Sequence, residues 1–394
     1  MTPSTASDTD NLKEARLPRR DIVILPLLSL VTMAVCLMVS EAVSWRYFVT
    51  YDRDSCLINS AEVTSRHCPN CATSLKTAEG PWVTNQYNEC GYRTKEPCGP
   101  KPQGSIRIAL LGSSTSEGLY VAYDQMFAAR ASRDLTRILG RPVEVQNLGR
   151  TGCDPVCVYH QTSEALALHP DILLLSIDPY DIRHFELAQM PYRDMPVLPG
   201  HTADSAAEVV DPLMSLKAFI TRSSSIVAAE HYLFQNTSIY DRIYLHYMDN
   251  ADYLRPPFSP LWEKRLAAFE ILLTEMARKS RAAHVPLVLL ETPSLPQVAL
   301  ARENNRPAGV DPKALNERLK QISLRQGVQF VDGADAFKDA PELSKLFYVT
   351  DGHLNGDGHA YVSRELVEQL IKEQHSALLG GNETQPKTAT GQER

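Results

Sequence analysis

A chain of 394 residues with a 43% apolar share is long enough to bury a large core and to form one main domain with additions. Its formal net charge of -7 argues against a nucleic-acid partner, which would want a basic face. The absence of a Walker sequence, a G-x-G-x-x-G and an H-E-x-x-H leaves no pointer to a nucleotide, a dinucleotide or a metalloprotease zinc.

Residues 1–20 are polar and are expected to be a disordered cytoplasmic tail. Residues 22–40 carry no charge, a length suited to one membrane-spanning helix, and the anchor is placed at 21–43. Arg16, Arg19 and Arg20 precede it and predict a cytoplasmic amino end, with everything from Trp45 onward extracytoplasmic or periplasmic. A cleaved signal peptide would have an apolar region of about 7–15 residues and a small-residue cleavage site, and none is evident before Trp45. A buried core helix is the other alternative.

The cysteines fit an oxidising compartment. Cys36 sits in the span, and the other seven are Cys56, Cys68, Cys71, Cys90, Cys98, Cys153 and Cys157. Cys68-Pro69-Asn70-Cys71 also reads as half a zinc knuckle or a redox pair, but disulfides are the simpler reading outside the cytoplasm. Seven is odd, so one thiol is left over or pairs between chains. Connectivity is not legible. Residues 45–103 are rich in turn formers and read as a cysteine-stapled extension, to which Cys153 and Cys157 are candidates for tethering a later loop.

From residue 104 strands and helices alternate. Strands are expected at 106–111, 142–147, 171–177, 285–291 and 328–331. Asp124 is expected to cap a helix with Phe127, Ala131, Leu135 and Ile138 on its inner face. A helix over 263–281 carries the stripe Leu266, Phe269, Leu273 and Met276. Asp311-Pro312 reads as N-cap and first position of another, with Leu315, Leu319 and Ile322 inward. Residues 358–373 close the domain. This alternation implies a three-layer α/β/α parallel sheet of flavodoxin-like type spanning 104–378. Residues 185–260 interrupt it with helical pieces at 214–220 and 226–234 and with Tyr240, Tyr244, Tyr247 and Tyr253. They are an insertion, either a lid or substrate wall over the active face or an excursion packed on the core. Residues 379–394 read as a disordered tail. Asn236-Thr237-Ser238 and Asn382-Glu383-Thr384 are glycosylation sequons in a host that uses them.

In such a sheet the loops at the carboxyl ends of the strands converge on one face. Here they carry Ser114, then 147–152, then Pro179-Tyr180-Asp181, then Asp351 and His353. Ser114 is the candidate nucleophile, His353 its base and Asp351 the orienter of the base, with Gly352 permitting the turn that lets both face one cleft. A capping serine and a surface histidine are the bland alternatives. His359 is expected to pack or cap rather than to react. Nothing implies an organic cofactor, and triad chemistry needs no metal.

Gly112-Ser113-Ser114-Thr115-Ser116-Glu117-Gly118 and Asp351-Gly352-His353 with Asn355, Gly358 and His359 resemble the first and last blocks of the SGNH (GDSL-type) hydrolases. Ser113 stands where that family usually has Asp. The resemblance implies an esterase or acyl transferase and assigns the oxyanion donors. These are the Ser114 N–H, Gly152 of the second block, and Tyr180, which stands where the third block supplies Asn. Asn88-Glu89-Cys90-Gly91-Tyr92-Arg93 is similar to a segment that membrane-anchored members carry before the nucleophile strand, with a structural turn as the alternative. The implied substrates are O-acyl esters, O-acetyl above all, of envelope glycans or lipids. An envelope binding or assembly protein that keeps the fold without turnover is the second class.

Overall fold

A computed structural model describes residues 19–51, 56–58, 66–153, 155–183, 223–247, 251–303, 306–340, 342–374 and 377–378. The amino-terminal 18 residues, the helical piece at 214–220, the sequon at Asn382 and the tail at 379–394 lie outside the described residues.

Helix α1 (Arg19–Phe48) comes first. Within its stretch Arg20–Phe48 an 18-residue window has a mean hydropathy of 2.8 and none of that window is buried, so the helix is long and apolar enough to cross a membrane. Two short antiparallel ladders follow, β1 (Leu57–Ile58) with β2 (Arg66–His67) and β3 (Ala72–Leu75) with β4 (Val83–Gln86). Cys56–Cys71 and Cys90–Cys98 are disulfides within this region.

The rest alternates: β5 (Ile106–Leu111), α2 (Ser114–Glu117), α3 (Phe127–Leu139), β6 (Val143–Asn147), α4 (Pro155–Ala167), β7 (Ile172–Ile177) and α5 (Pro179–Arg183). After the undescribed stretch come α6 (Ser224–Phe234), α7 (Thr237–Tyr247) and α8 (Pro260–Ala282). Then follow β8 (Leu287–Glu291), α9 (Leu295–Arg302), α10 (Ala314–Arg325), β9 (Gln329–Asp332) and α11 (Gly356–Glu373).

The five strands from β5 onward form one parallel sheet in the order β6-β5-β7-β8-β9. This is the flavodoxin-like order expected of the fold. Side chains along each strand alternate between two cores. Ala109, Leu111, Leu173, Leu175 and Leu289 face the layer of α4, α8 and α10. Ile108, Leu110, Ile172, Leu174 and Val288 face α3, α9 and α11. Every residue of β5 and β7 is buried, which is why both read as near-continuous apolar runs, interrupted only by Arg107 and Ser176.

The details correct several expectations. Asp124 lies in a 3-10 turn, and α3 begins after Met126 instead. Ile138 is 50% exposed in the last turn of α3, although it shares a helical face with Phe127 and Ala131. The α3 amino end is capped from across the fold, because the Phe127 N–H donates to Nδ1 of buried His359 at 3.2 Å. Asp311 and Pro312 make a turn before α10, whose first residue is Ala314. Asn355 caps α11 and moves its start to Gly356. Cys153 bonds Cys157 four residues on and tethers nothing to the extension, and Cys68 is the thiol left without a disulfide.

His359 yields a stability prediction. Burial, followed by the positive charge of Arg93, holds its pKa down at about 3. The folded state therefore needs the neutral imidazole, while the unfolded chain takes a proton near pH 6.5. The capping contribution is complete above that pH and is lost as pH falls toward 3. The stability advantage of the native chain over His359→Phe should shrink by about 1.4 kcal/mol per pH unit below 6.5, read from denaturant midpoints at matched slope.

Candidate active site

The β5 strand ends at Leu111, and the chain turns straight into α2, a helix of four residues opening with Ser114. Its first N–H groups have no intrahelical partner and point out of the sheet's carboxyl edge. β5 and β7 flank the point where the strand order reverses, which is where ligands bind in open sheets of this kind.

Ser114 Oγ lies 2.8 Å from His353 Nε2. His353 Nδ1 lies 2.5 Å from Asp351 Oδ1, and the His353 N–H donates to the same oxygen at 3.2 Å. The connecting Gly352 takes φ 89, a conformation that L side chains resist, so the turn that aims both groups at Ser114 depends on glycine. Tyr120 meets the imidazole edge to face at 5.6 Å. Thus Ser114 and a pair more than two hundred positions further along the chain form one hydrogen-bonded line.

Burial works against a charged His353, but the Asp351 charge and hydrogen bond outweigh it, with smaller contributions from Asp178 and Glu117. The net effect raises the His353 pKa above its ordinary value.

The remaining expected donors divide. The 147–152 loop is held against the nucleophile turn, since the Arg150 N–H donates to Gly112 O at 3.0 Å. Gly152 takes φ 72 in this loop and an added Cβ would meet nothing within 4 Å. Tyr180 is 61% exposed on α5, with the Arg183 guanidinium 5.2 Å over its ring. From the same loop Asp178 reaches the nucleophile turn, where its Oδ2 accepts from the Thr115 hydroxyl at 3.2 Å. Burial raises the Asp178 pKa, opposed by the Asp181 N–H and the His353 charge. Block matching selects Tyr180 and passes over Asp178. The available signal is its place immediately after β7. A separate cavity of about 410 Å³, lined by Gln297, Asn316, Asp332 and Asp335 among others, contains none of these groups.

A second set of buried residues lies beneath α2. Glu117 is fully buried, with Tyr87 donating to it at 2.6 Å and the Thr151 N–H and hydroxyl at 2.6 and 2.7 Å. His67 Nε2 is 3.2 Å away. Burial would raise this carboxyl, but the His67 hydrogen bond and charge, then Tyr87 and Thr151, bring its pKa down to about 2. Buried Arg93 donates to the carbonyls of Glu117, Gly118 and Val121. Asn88 to Arg93 therefore act as a clamp on the far end of the nucleophile helix. Glu117→Ala strips a buried charge from four donors and should cost about 3–5 kcal/mol at neutral pH. The Glu117 contribution is present above its unfolded pKa of 4.5 and lost as pH falls toward 2, so the gap between native and variant should close in acid, measured by unfolding at stepped pH.

No protein-family model matches this sequence, and no curated protein matches it. Many of the solved structures similar to it in fold are SGNH/GDSL-type hydrolases. It is similar to an acetylxylan esterase from Geobacillus stearothermophilus at 15% identity, covering 68% of this chain and 95% of that one, with a TM-score of 0.39. It is similar to a G-D-S-L family protein from Desulfitobacterium hafniense at 13% identity, covering 67% and 98%, with a TM-score of 0.36. An alpha/beta hydrolase from the metagenome of Lake Arreo shows 14% identity, 67% and 94% coverage and a TM-score of 0.37. At these values the likeness carries no chemistry, which comes from the geometry of Ser114, His353 and Asp351 itself.

Proposed function

We propose that this chain is an SGNH-type serine esterase or acyl-ester transferase, anchored by α1 with its amino end in the cytoplasm and residues 104–378 acting outside it. The observation that carries the reading is the Ser114–His353–Asp351 line, at 2.8 and 2.5 Å. Residues 45–103 serve as the extension that supports the nucleophile turn. The substrate class is an O-acyl ester, O-acetyl foremost, on an envelope glycan or lipid.

The chemistry follows from the positions. Ser114 Oγ attacks the ester carbonyl while His353 Nε2 takes its proton. Asp351 holds the Nδ1–H tautomer and stabilises the imidazolium. The Ser114 and Gly152 N–H groups receive the oxyanion. The intermediate collapses to acyl-Ser114, and His353 returns the proton to the leaving alcohol. Water then completes hydrolysis, or an acceptor hydroxyl completes transfer, through the same base.

One observation favours the second reading, an envelope binding or assembly protein: where an amide donor is expected, Tyr180 faces solvent and the Asp178 carboxyl faces the nucleophile turn. The two readings separate on the reconstituted full chain treated with a fluorophosphonate. Labelling lost in both Ser114→Ala and His353→Ala supports catalysis, and an unlabelled but folded native protein supports binding.

The pH profile gives a sharper test. His353 acts only when neutral, and its pKa is raised, so hydrolysis of a nitrophenyl acetate should rise with pH through an inflection above 6.5. Asp351→Asn removes the main raising influence. It should shift that inflection downward and cut the rate by about 10⁴-fold.

A further inference from the structure

Exposed apolar side chains gathered into one patch mark protein or membrane contact sites. Around the carboxyl end of α1 several come together from separate parts of the chain. Trp45 and Tyr47 stand out from α1, and Tyr51 follows it. Trp82, 57% exposed just before β4, packs on Tyr51 with ring centroids 5.3 Å apart. Tyr232 of α6, 67% exposed, packs on Phe48 at 6.2 Å, with Leu233 exposed beside it.

These segments are fastened to the helix. The Lys76 ammonium caps its end by donating to Tyr47 O at 3.0 Å and Val49 O at 3.4 Å. Glu41 receives the Ser224 and Ser225 N–H groups at 2.8 and 3.1 Å and the Ser223 hydroxyl at 2.7 Å, which docks the amino end of α6 on α1. A span of about 20 residues beginning near Ile22 ends close to Glu41. The ring of aromatics therefore sits at the level where a bilayer meets water, the depth at which Trp and Tyr are enriched in membrane proteins.

We propose that Trp82 of the β3–β4 region and Tyr232 and Leu233 of α6 form, with Trp45 and Tyr47, an aromatic collar that seats the folded domain on the lipid headgroup surface. The proposal rests on the reading of α1 as a membrane span and names a second contact with the same bilayer. Continuity with α1 argues for lipid as the occupant, since a protein partner here would have to share the surface with the headgroups around the helix. The collar also reaches the catalytic loop. His231, next to Tyr232, meets Glu79 Oε1 at 2.6 Å, and Glu79 Oε2 accepts the Thr350 N–H at 3.0 Å, one residue before Asp351.

The three tryptophans of the chain supply the test, because Trp45 borders the span, Trp82 lies in the collar and Trp262 is 1% exposed in the core. The full chain is reconstituted in phosphatidylcholine vesicles containing lipids brominated high on the acyl chain. Trp82 emission, read over the buried Trp262 background in Trp45→Phe, should be quenched within about twofold of Trp45 emission, read over the same background in Trp82→Phe. Tyr232→Trp in a chain lacking Trp45 and Trp82 should be quenched to a similar extent, while Trp262 alone should not respond. Quenching of Trp45 with neither collar position affected overturns the collar and leaves the span standing. An unquenched Trp45 overturns the span and the collar with it.

Discussion

The Ser114–His353–Asp351 line depends on a helix too short to hold itself. Four residues of α2 cannot form a stable helix alone, because nucleation fixes several dihedrals for a single hydrogen bond. The protein supplies the missing stability from outside. Arg93 gathers the carbonyls at the carboxyl end of α2, and Glu117 ties its last turn to His67, Tyr87 and Thr151. A buried charge left unpaired is far more costly than a paired one, so the clamp tolerates no partial assembly. Ser114 is aimed because the floor beneath it has one satisfied arrangement.

Around that floor the charges are graded. Glu117 is held ionised by its donors, while burial pushes Asp178 toward its neutral form. Asp351, half-buried at the edge, stays within reach of solvent and of His353. The Glu117 and Asp178 carboxyls thus differ in proton affinity through their surroundings alone. The imidazole feels these two and Asp351 and is made more basic than it would be in water.

Much of this is legible in the sequence, for physical reasons. The five core strands announce themselves because a parallel sheet covered on both faces demands apolar runs, as in Ile106–Leu111 and Ile172–Ile177. Ser114, Asp351 and His353 are legible because strand ends converge, whatever their separation along the chain. What escapes is set by tertiary contact. Asp124 has the chemistry of a cap, but His359, 232 residues away, supplies the acceptor for α3. Tyr180 fits the block by position, yet α5 begins at Pro179 and turns its ring outward, leaving Asp178 toward Thr115. Glu117 and His67 carry no local signature at all. Each looks like an ordinary surface residue until the extension folds over the sheet edge.

The proposed base and its orienter share one three-residue turn, while the proposed nucleophile opens α2 just beyond the end of β5. Asp351 and His353 are bonded to each other both through the ring and through the His353 N–H, and Glu79 grips the backbone one step earlier. Such a turn moves as a block. Under the proposed mechanism, displacing it would leave Ser114 an ordinary alcohol and carry away base and orienter together. The Thr350 backbone, held by Glu79, is then a handle through which the collar side of the domain can reach the proposed triad.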